Sequence, residues 1–193
     1  MSKLLLTSSQ TVGPFFAPAL LREDALRHVL VEPQTLGERI RLEGSVLDGD
    51  RLPVPDAMVE IWQANAAGRY NHPSDQGPAP LDQSFLGFGR SGTEVEGHYW
   101  FETTKPGPVR FDAERMQAPH INVTIFSRGL LNHLMTRLYF ADEPTNASDP
   151  ILQLVPEVRR STLLALRQQE GTVVVYRLDI VMQGEGETVF FNI

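Results

Sequence analysis

Apolar and polar positions alternate with a period of two over several short stretches of this chain, and that alternation predicts strands. Ile40, Leu42 and Val46 alternate with Arg41, Glu43 and Ser45, and Asp48-Gly49-Asp50 follows as a turn. Ala57 to Trp62 is a second short strand, with Val59 and Ile61 on one face and Glu60 and Trp62 on the other. Gly97 to Glu102, Ile121 to Phe126, Leu134 to Phe140 and Thr172 to Met182 are further strands. The last is the most regular, with Val174, Tyr176, Leu178 and Ile180 set against Val175, Arg177, Asp179 and Val181. Glu157 to Arg167 is the best helical segment, because Val158, Leu163 and Leu166 fall near helical spacing. Residues 63–83 are rich in Asn, Gly, Pro, Asp and Gln and form a long loop, a feature that in a compact domain tends to carry function. Many short strands with Gly and Pro turns predict a mainly β chain, a β-sandwich with long loops and one or two short helices.

The two ends depart from this pattern. Residues 1–22 contain Pro14 and Pro18, which oppose both helix and central strand, so an extended arm is expected there. Phe15 and Phe16 in that arm need an apolar surface, on this chain or another. At the other end, residues 184–193 finish in Val189-Phe190-Phe191-Asn192-Ile193, an apolar tail expected to be buried, with a partner chain as one possible cover. The 193 residues suit one domain over 1–193, and no internal repeat is present.

Composition narrows the chemistry. A net charge of −7 argues against a nucleic-acid binder or a basic membrane-surface protein, either of which needs clustered Lys and Arg. No cysteine is present, which removes disulfides, thiolate catalysis and Cys-based metal sites. Leu4 to Leu6 is too short for a signal segment and no span approaches transmembrane length, so a cytoplasmic location is expected.

The informative stretch runs from Lys105 to Phe126. Lys105-Pro106-Gly107-Pro108-Val109 precedes a polar loop, and then comes Gln117-Ala118-Pro119-His120-Ile121-Asn122. His120 and Asn122 share one face of the strand; two histidines so spaced would be a ready pair of imidazole ligands, but Asn122 is a poor ligand for a transition metal. A lone strand histidine beside an asparagine is more often a hydrogen-bonded structural residue than a ligand. His28, His72, His98 and His133 have no metal-ligand spacing, and Asp48, Asp50 and Asp56 lack a complete calcium-loop pattern and read as turn formers.

Over nearly all of its length the chain resembles the intradiol ring-cleavage dioxygenases. The catalytic chains of that family hold a non-haem ferric ion with two Tyr and two His, supplied in part by Lys-Pro-Gly-Pro-Tyr and Arg-x-x-His-x-His. By position Tyr70 and His120 are kept, whereas Val109 replaces one Tyr, Asn122 replaces one His, and Gln117 replaces the Arg. The resemblance therefore implies a degenerate ligand set and no catalytic residue in this chain. It is the pattern of the non-ligating alpha chain of the two-chain members, whose iron-bearing beta subunit carries the Fe(III) and opens a small aromatic substrate with O2 in a higher hetero-oligomer.

In those members the alpha arm reaches the beta pocket through Ser-Gln-Thr-x-Gly-Pro. This motif stands here as Ser9 to Pro14, so the resemblance assigns substrate contacts to Thr11, Gly13 and Pro14, with Phe15 where Tyr is common. It also sets Arg128 near the substrate carboxylate, a role that suits a guanidinium because it donates two parallel hydrogen bonds. The competing expectation, from another class, is a catalytically inert β-sandwich binding or carrier module that self-associates.

Overall fold

A computed structural model describes residues 16–192; Thr11, Gly13, Pro14 and Phe15 lie outside the described residues, as do most of the arm and Ile193. In chain order the elements are α1 (Phe16–Leu20), β1 (Arg39–Leu47), β2 (Met58–Trp62), β3 (Phe88–Gly92), β4 (His98–Thr104), β5 (Val109–Arg110) and β6 (Met116–Gln117). Then follow β7 (His120–Phe126), β8 (Leu134–Phe140), α2 (Glu157–Arg160), β9 (Leu164–Glu170), β10 (Val173–Arg177) and β11 (Ile180–Val181). The chain is mainly β with few short helices, as the alternation predicts.

Nine of the strands join in one hydrogen-bonded sheet that folds into two layers in a β-sandwich-like arrangement, and β5 and β6 pair separately as a small hairpin. One layer is β3-β2-β7-β8, antiparallel throughout; the other is β4-β1-β10-β9, and a short parallel contact of β8 with β9 joins them. Both layers turn their apolar face to one core, in which Leu42, Ile61, Phe101, Ile121, Ile125 and Leu138 are fully or almost fully buried. Removing each such side chain from water contributes about 1.5–3 kcal/mol. The free edges of β3 and β4 are covered by residues 27–30: the Arg27 amide donates to the Arg90 carbonyl at 2.9 Å, and the Leu30 amide to the Glu102 carbonyl at 2.8 Å. That strap removes two exposed edges at once.

A smaller apolar cluster of Ala118, Tyr139, Leu152, Val155 and Leu163 lies beside the start of β7. Residues near the C-terminus complete it: Val189 and Phe191 pack there, and the Phe191 amide donates to the Met135 carbonyl at 2.8 Å. The tail is thus held along β8 of its own chain.

Three expectations are corrected. Within the arm expected to be extended over 1–22, Phe16–Leu20 form a short helix, α1, with Pro18 in its first turn, where the missing amide costs no helical hydrogen bond. The helix expected over Glu157 to Arg167 is a single turn, α2, followed by a 3-10 turn at Ser161–Leu163 and then by strand β9. Of the expected apolar stripe only Leu163 is buried, in the smaller cluster, while Val158 and Leu166 are 88% and 60% exposed; β9 instead pairs antiparallel with β10 through the Gly171-Thr172 turn. The strand expected over Thr172 to Met182 is interrupted at Leu178 and Asp179, which leave the ladder to bind β1, the Asp179 carboxylate accepting from the Ser45 amide at 2.9 Å. Among the described residues no helix is long and apolar enough to cross a membrane.

Candidate functional site

The site begins with the antiparallel register of β2 on β7, which sets Trp62 opposite Asn122 and Met58 opposite Phe126. His120 and Asn122 therefore stand at one end of the sheet, beside the long loop after β2. That loop is folded by Asn65, which is buried; its side-chain oxygen accepts from the Ala67 and Arg69 amides at 2.9 and 3.0 Å, while its amide nitrogen donates to the Pro80 carbonyl at 2.9 Å. Asp75 then fixes the backbone of Tyr70, accepting its amide at 2.8 Å. The Lys105 to Val109 segment packs directly on this turn. A Cβ at Gly68 would lie 2.0 Å from the Pro108 carbonyl oxygen and one at Gly107 would lie 2.5 Å from that of Ala66, so the close approach needs both glycines.

These constraints bring three of the four ligand positions named from the sequence into one hydrogen-bonded network, with Val109 on the wall beside it. The Tyr70 hydroxyl is 3.5 Å from His120 Nε2, and Asn122 Nδ2 donates to the same hydroxyl at 3.1 Å and to the Trp62 carbonyl at 3.2 Å. His120 Nδ1 donates to the Ala118 carbonyl at 2.8 Å, which leaves Nε2 as the acceptor facing the phenol. Val109 lines the same cleft as Tyr70 and contributes only methyl groups. Burial, reinforced by the Arg137 charge, pushes the His120 imidazole down to about 4. Burial also raises the Tyr70 hydroxyl above its ordinary range, against the pull of the Asn122 hydrogen bond and of Arg137. Both groups are neutral near pH 7 and bonded within their own network.

These residues do not fit a ferric ion. A separation of 3.5 Å between Tyr70 and His120 suits two neighbouring ligands each about 2.0–2.2 Å from one ion, so their placement is adequate. The donor set is not. A hard trivalent cation needs anionic oxygen and further imidazole, and the other two positions offer an amide and an isopropyl group. Among the described residues no group of three or more His, Asp or Glu could hold a metal ion.

Arg128 does not join this site. β7 spans about 20 Å, with His120 at its start and Arg128 two residues past its end. There the Arg128 Nε donates to the Asp56 carboxylate at 2.7 Å, and the side chain is 64% exposed. Leu21, the residue after α1, lies against Gly92 at this same end of the sheet, since Gly92 pairs with Met58 and Met58 with Phe126. Arg128 and the root of the N-terminal arm thus share one end, and the Tyr70–His120 cleft occupies the other.

Sequence reasoning missed the supports of the cleft. Arg137 faces Asn122 across the ladder and donates to Gln117 Oε1 at 2.7 Å, so a guanidinium stands close to position 117 although the residue there is glutamine. Asp149 is fully buried and accepts from the Ala118 amide at 2.7 Å and the Tyr139 hydroxyl at 3.1 Å, which anchors the entry to β7. Arg137 was visible as a polar residue within a predicted strand; Asp149, in a polar loop, gave no local signal.

The fold and cleft define a β-sandwich-like protein with a network of one phenol, one imidazole and one amide beside an open cleft. A family model described as Dioxygenase matches residues 12–184, and the chain belongs to this dioxygenase family. It is 44% identical to the protocatechuate 3,4-dioxygenase alpha chain of Burkholderia cepacia over 208 residues, covering all of both chains. It is 41% identical to the beta chain of the same organism over 174 residues, covering 87% of this chain and 74% of that one. An intradiol ring-cleavage dioxygenase of Tetranychus urticae shares the fold with a TM-score of 0.62 at 19% identity, covering 91% and 94% of the two chains.

Proposed function

We propose that this chain is the non-iron-ligating alpha subunit of a protocatechuate 3,4-dioxygenase. In this reading it completes the substrate pocket of an iron-bearing beta subunit, where protocatechuate and O2 are converted to 3-carboxy-cis,cis-muconate. Full-length similarity to an alpha chain, and weaker coverage of a beta chain, support the pairing. The ferric ion and the bond-breaking chemistry belong to the beta subunit.

One observation carries the division of labour. The cleft at Tyr70 and His120 offers two metal donors, while the exposed Arg128 stands about 20 Å away at the end from which the arm departs. A guanidinium so placed cannot serve a ligand in its own chain's cleft, but it can meet a carboxylate in a neighbouring chain. Thr11, Gly13 and Pro14 are assigned to the same neighbouring pocket as its wall, with the substrate ring against the Gly13 backbone.

Co-expression with an iron-bearing beta chain tests the reading. The two chains are expected to purify as a stoichiometric complex whose activity exceeds that of the beta chain alone. Deleting residues 1–14 is expected to reduce turnover of the complex while leaving the folding of this chain intact. A chain that self-associates, ignores the beta chain and leaves its activity unchanged is instead an inert binding module.

A further inference from the structure

The cleft beside Tyr70 is too large to be explained as a collapsed metal site. It encloses about 620 Å3, within the range of roughly 300–1,000 Å3 that holds small molecules, and its walls include Trp62, Tyr70, Pro108, Val109, Arg110 and Phe111. Trp62 and Tyr70 stack with ring centroids 5.7 Å apart and planes inclined by 22°, which gives one aromatic wall. Phe111 is 41% exposed at the mouth. Such walls favour a planar ring, by stacking and edge contacts.

The charges in the cleft are unevenly committed. Asp75 spends its two carboxylate oxygens on the amides of Tyr70 and Gly77, at 2.8 and 2.9 Å. Asp112 is paired with Arg115 at 2.6 Å. On the positive side, Arg110 is exposed and makes no ion pair among the described residues. Arg69 bonds only to carbonyls, those of Ala79 at 2.9 Å and Asp75 at 3.4 Å, and its Nε is buried without a partner among the described residues. The oxygens of both carboxylates are thus occupied while the Arg110 guanidinium is uncommitted among the described residues, and a guanidinium recognises a carboxylate with paired hydrogen bonds.

We propose that this cleft is a metal-free binding site for small aromatic carboxylates, with the ring against Trp62 and Tyr70 and the carboxylate on Arg110. The site is separate from the pocket that Arg128 serves, and it requires no partner chain. It therefore stands or falls apart from the subunit assignment.

Calorimetric titration of the purified species containing this chain with 4-fluorobenzoate tests it, using fluorobenzene as the uncharged counterpart. One equivalent per chain is expected to disappear in Val109→Trp, where the indole takes the space of the ligand ring between Val109 and the Trp62–Tyr70 wall. Arg110→Ala, an exposed change that leaves the core untouched, is expected to weaken that equivalent by at least about tenfold, and fluorobenzene to bind weaker than the acid by a similar factor. Full retention of the equivalent in both variants overturns the proposal, as does equal binding of fluorobenzene. A wild-type chain that shows no saturation up to concentrations on the order of 10 mM overturns it as well.

Discussion

Replacing Arg128 by alanine in the complex separates a substrate contact from a surface residue. A hydrogen bond to a charged group contributes on the order of 1.5–3 kcal/mol. From this must be taken the competing ion pair with Asp56, at 2.7 Å and with an Arg128 side chain that is 64% exposed in this chain. Exposed pairs contribute about 0.2–1 kcal/mol, so a net loss of about 1–2 kcal/mol is expected, roughly five- to thirtyfold in kcat/KM for protocatechuate. The loss should appear mainly in KM, because a contact to a spectator carboxylate is alike in the ground and transition states. Steady-state oxygen uptake with protocatechuate and with unsubstituted catechol measures it; catechol, lacking the carboxylate, should change far less. The folding of the chain should be nearly unaffected, since only an exposed pair is removed. Equal losses on both substrates, or none on either, would refute a carboxylate role for Arg128.

Two further predictions concern the supports of the cleft. His120 is held at about 4 by burial, below its ordinary value near 6.5, so the unfolded chain binds a proton first on acidification. Stability should therefore fall as pH drops from about 6.5 to about 4, by on the order of 3 kcal/mol, and His120→Gln should flatten that limb in urea melts; an unchanged limb contradicts it. Asp149→Ala strands the Ala118, Ile151 and Leu152 amides and the Tyr139 hydroxyl, all donors to one buried carboxylate. A loss of about 3–5 kcal/mol in urea denaturation is expected, and one under about 1 kcal/mol would show that the amides find other partners.

The central strands were legible because their alternation has a physical cause: one face of each meets the core. Ile40, Leu42 and Val46 point inward from β1, and Ile121, Val123 and Ile125 do so from β7. Strand β3 was not legible, since Phe88-Gly89-Arg90-Ser91-Gly92 has two glycines and no apolar alternation. Its glycine answers a constraint that only the assembled layers impose, for a Cβ at Gly89 would come within 2.9 Å of Ile61 and Phe101. The helix expected through Leu166 failed because a short apolar spacing fits two periods, and the hairpin with β10 decided between them.

Within the cleft, the positions of Tyr70, Val109, His120 and Asn122 were legible through the motifs that carry them. Their hydrogen bonding was not, because it depends on Asn65, Gly68 and Gly107 drawing two loops together across about forty residues of sequence. The separation of Arg128 from that cleft was implicit in the sequence, as both flank one predicted strand. Its consequence emerged only with the register that set the arm root at the same end.

The most direct test of the account is the iron content of this chain expressed and purified without a beta subunit, read by metal analysis together with visible absorption for ferric–tyrosinate charge transfer. With one neutral phenol, one neutral imidazole and no anionic partner, far less than stoichiometric iron and no such band are predicted. One iron per chain, lost in Tyr70→Phe and in His120→Asn, would contradict it.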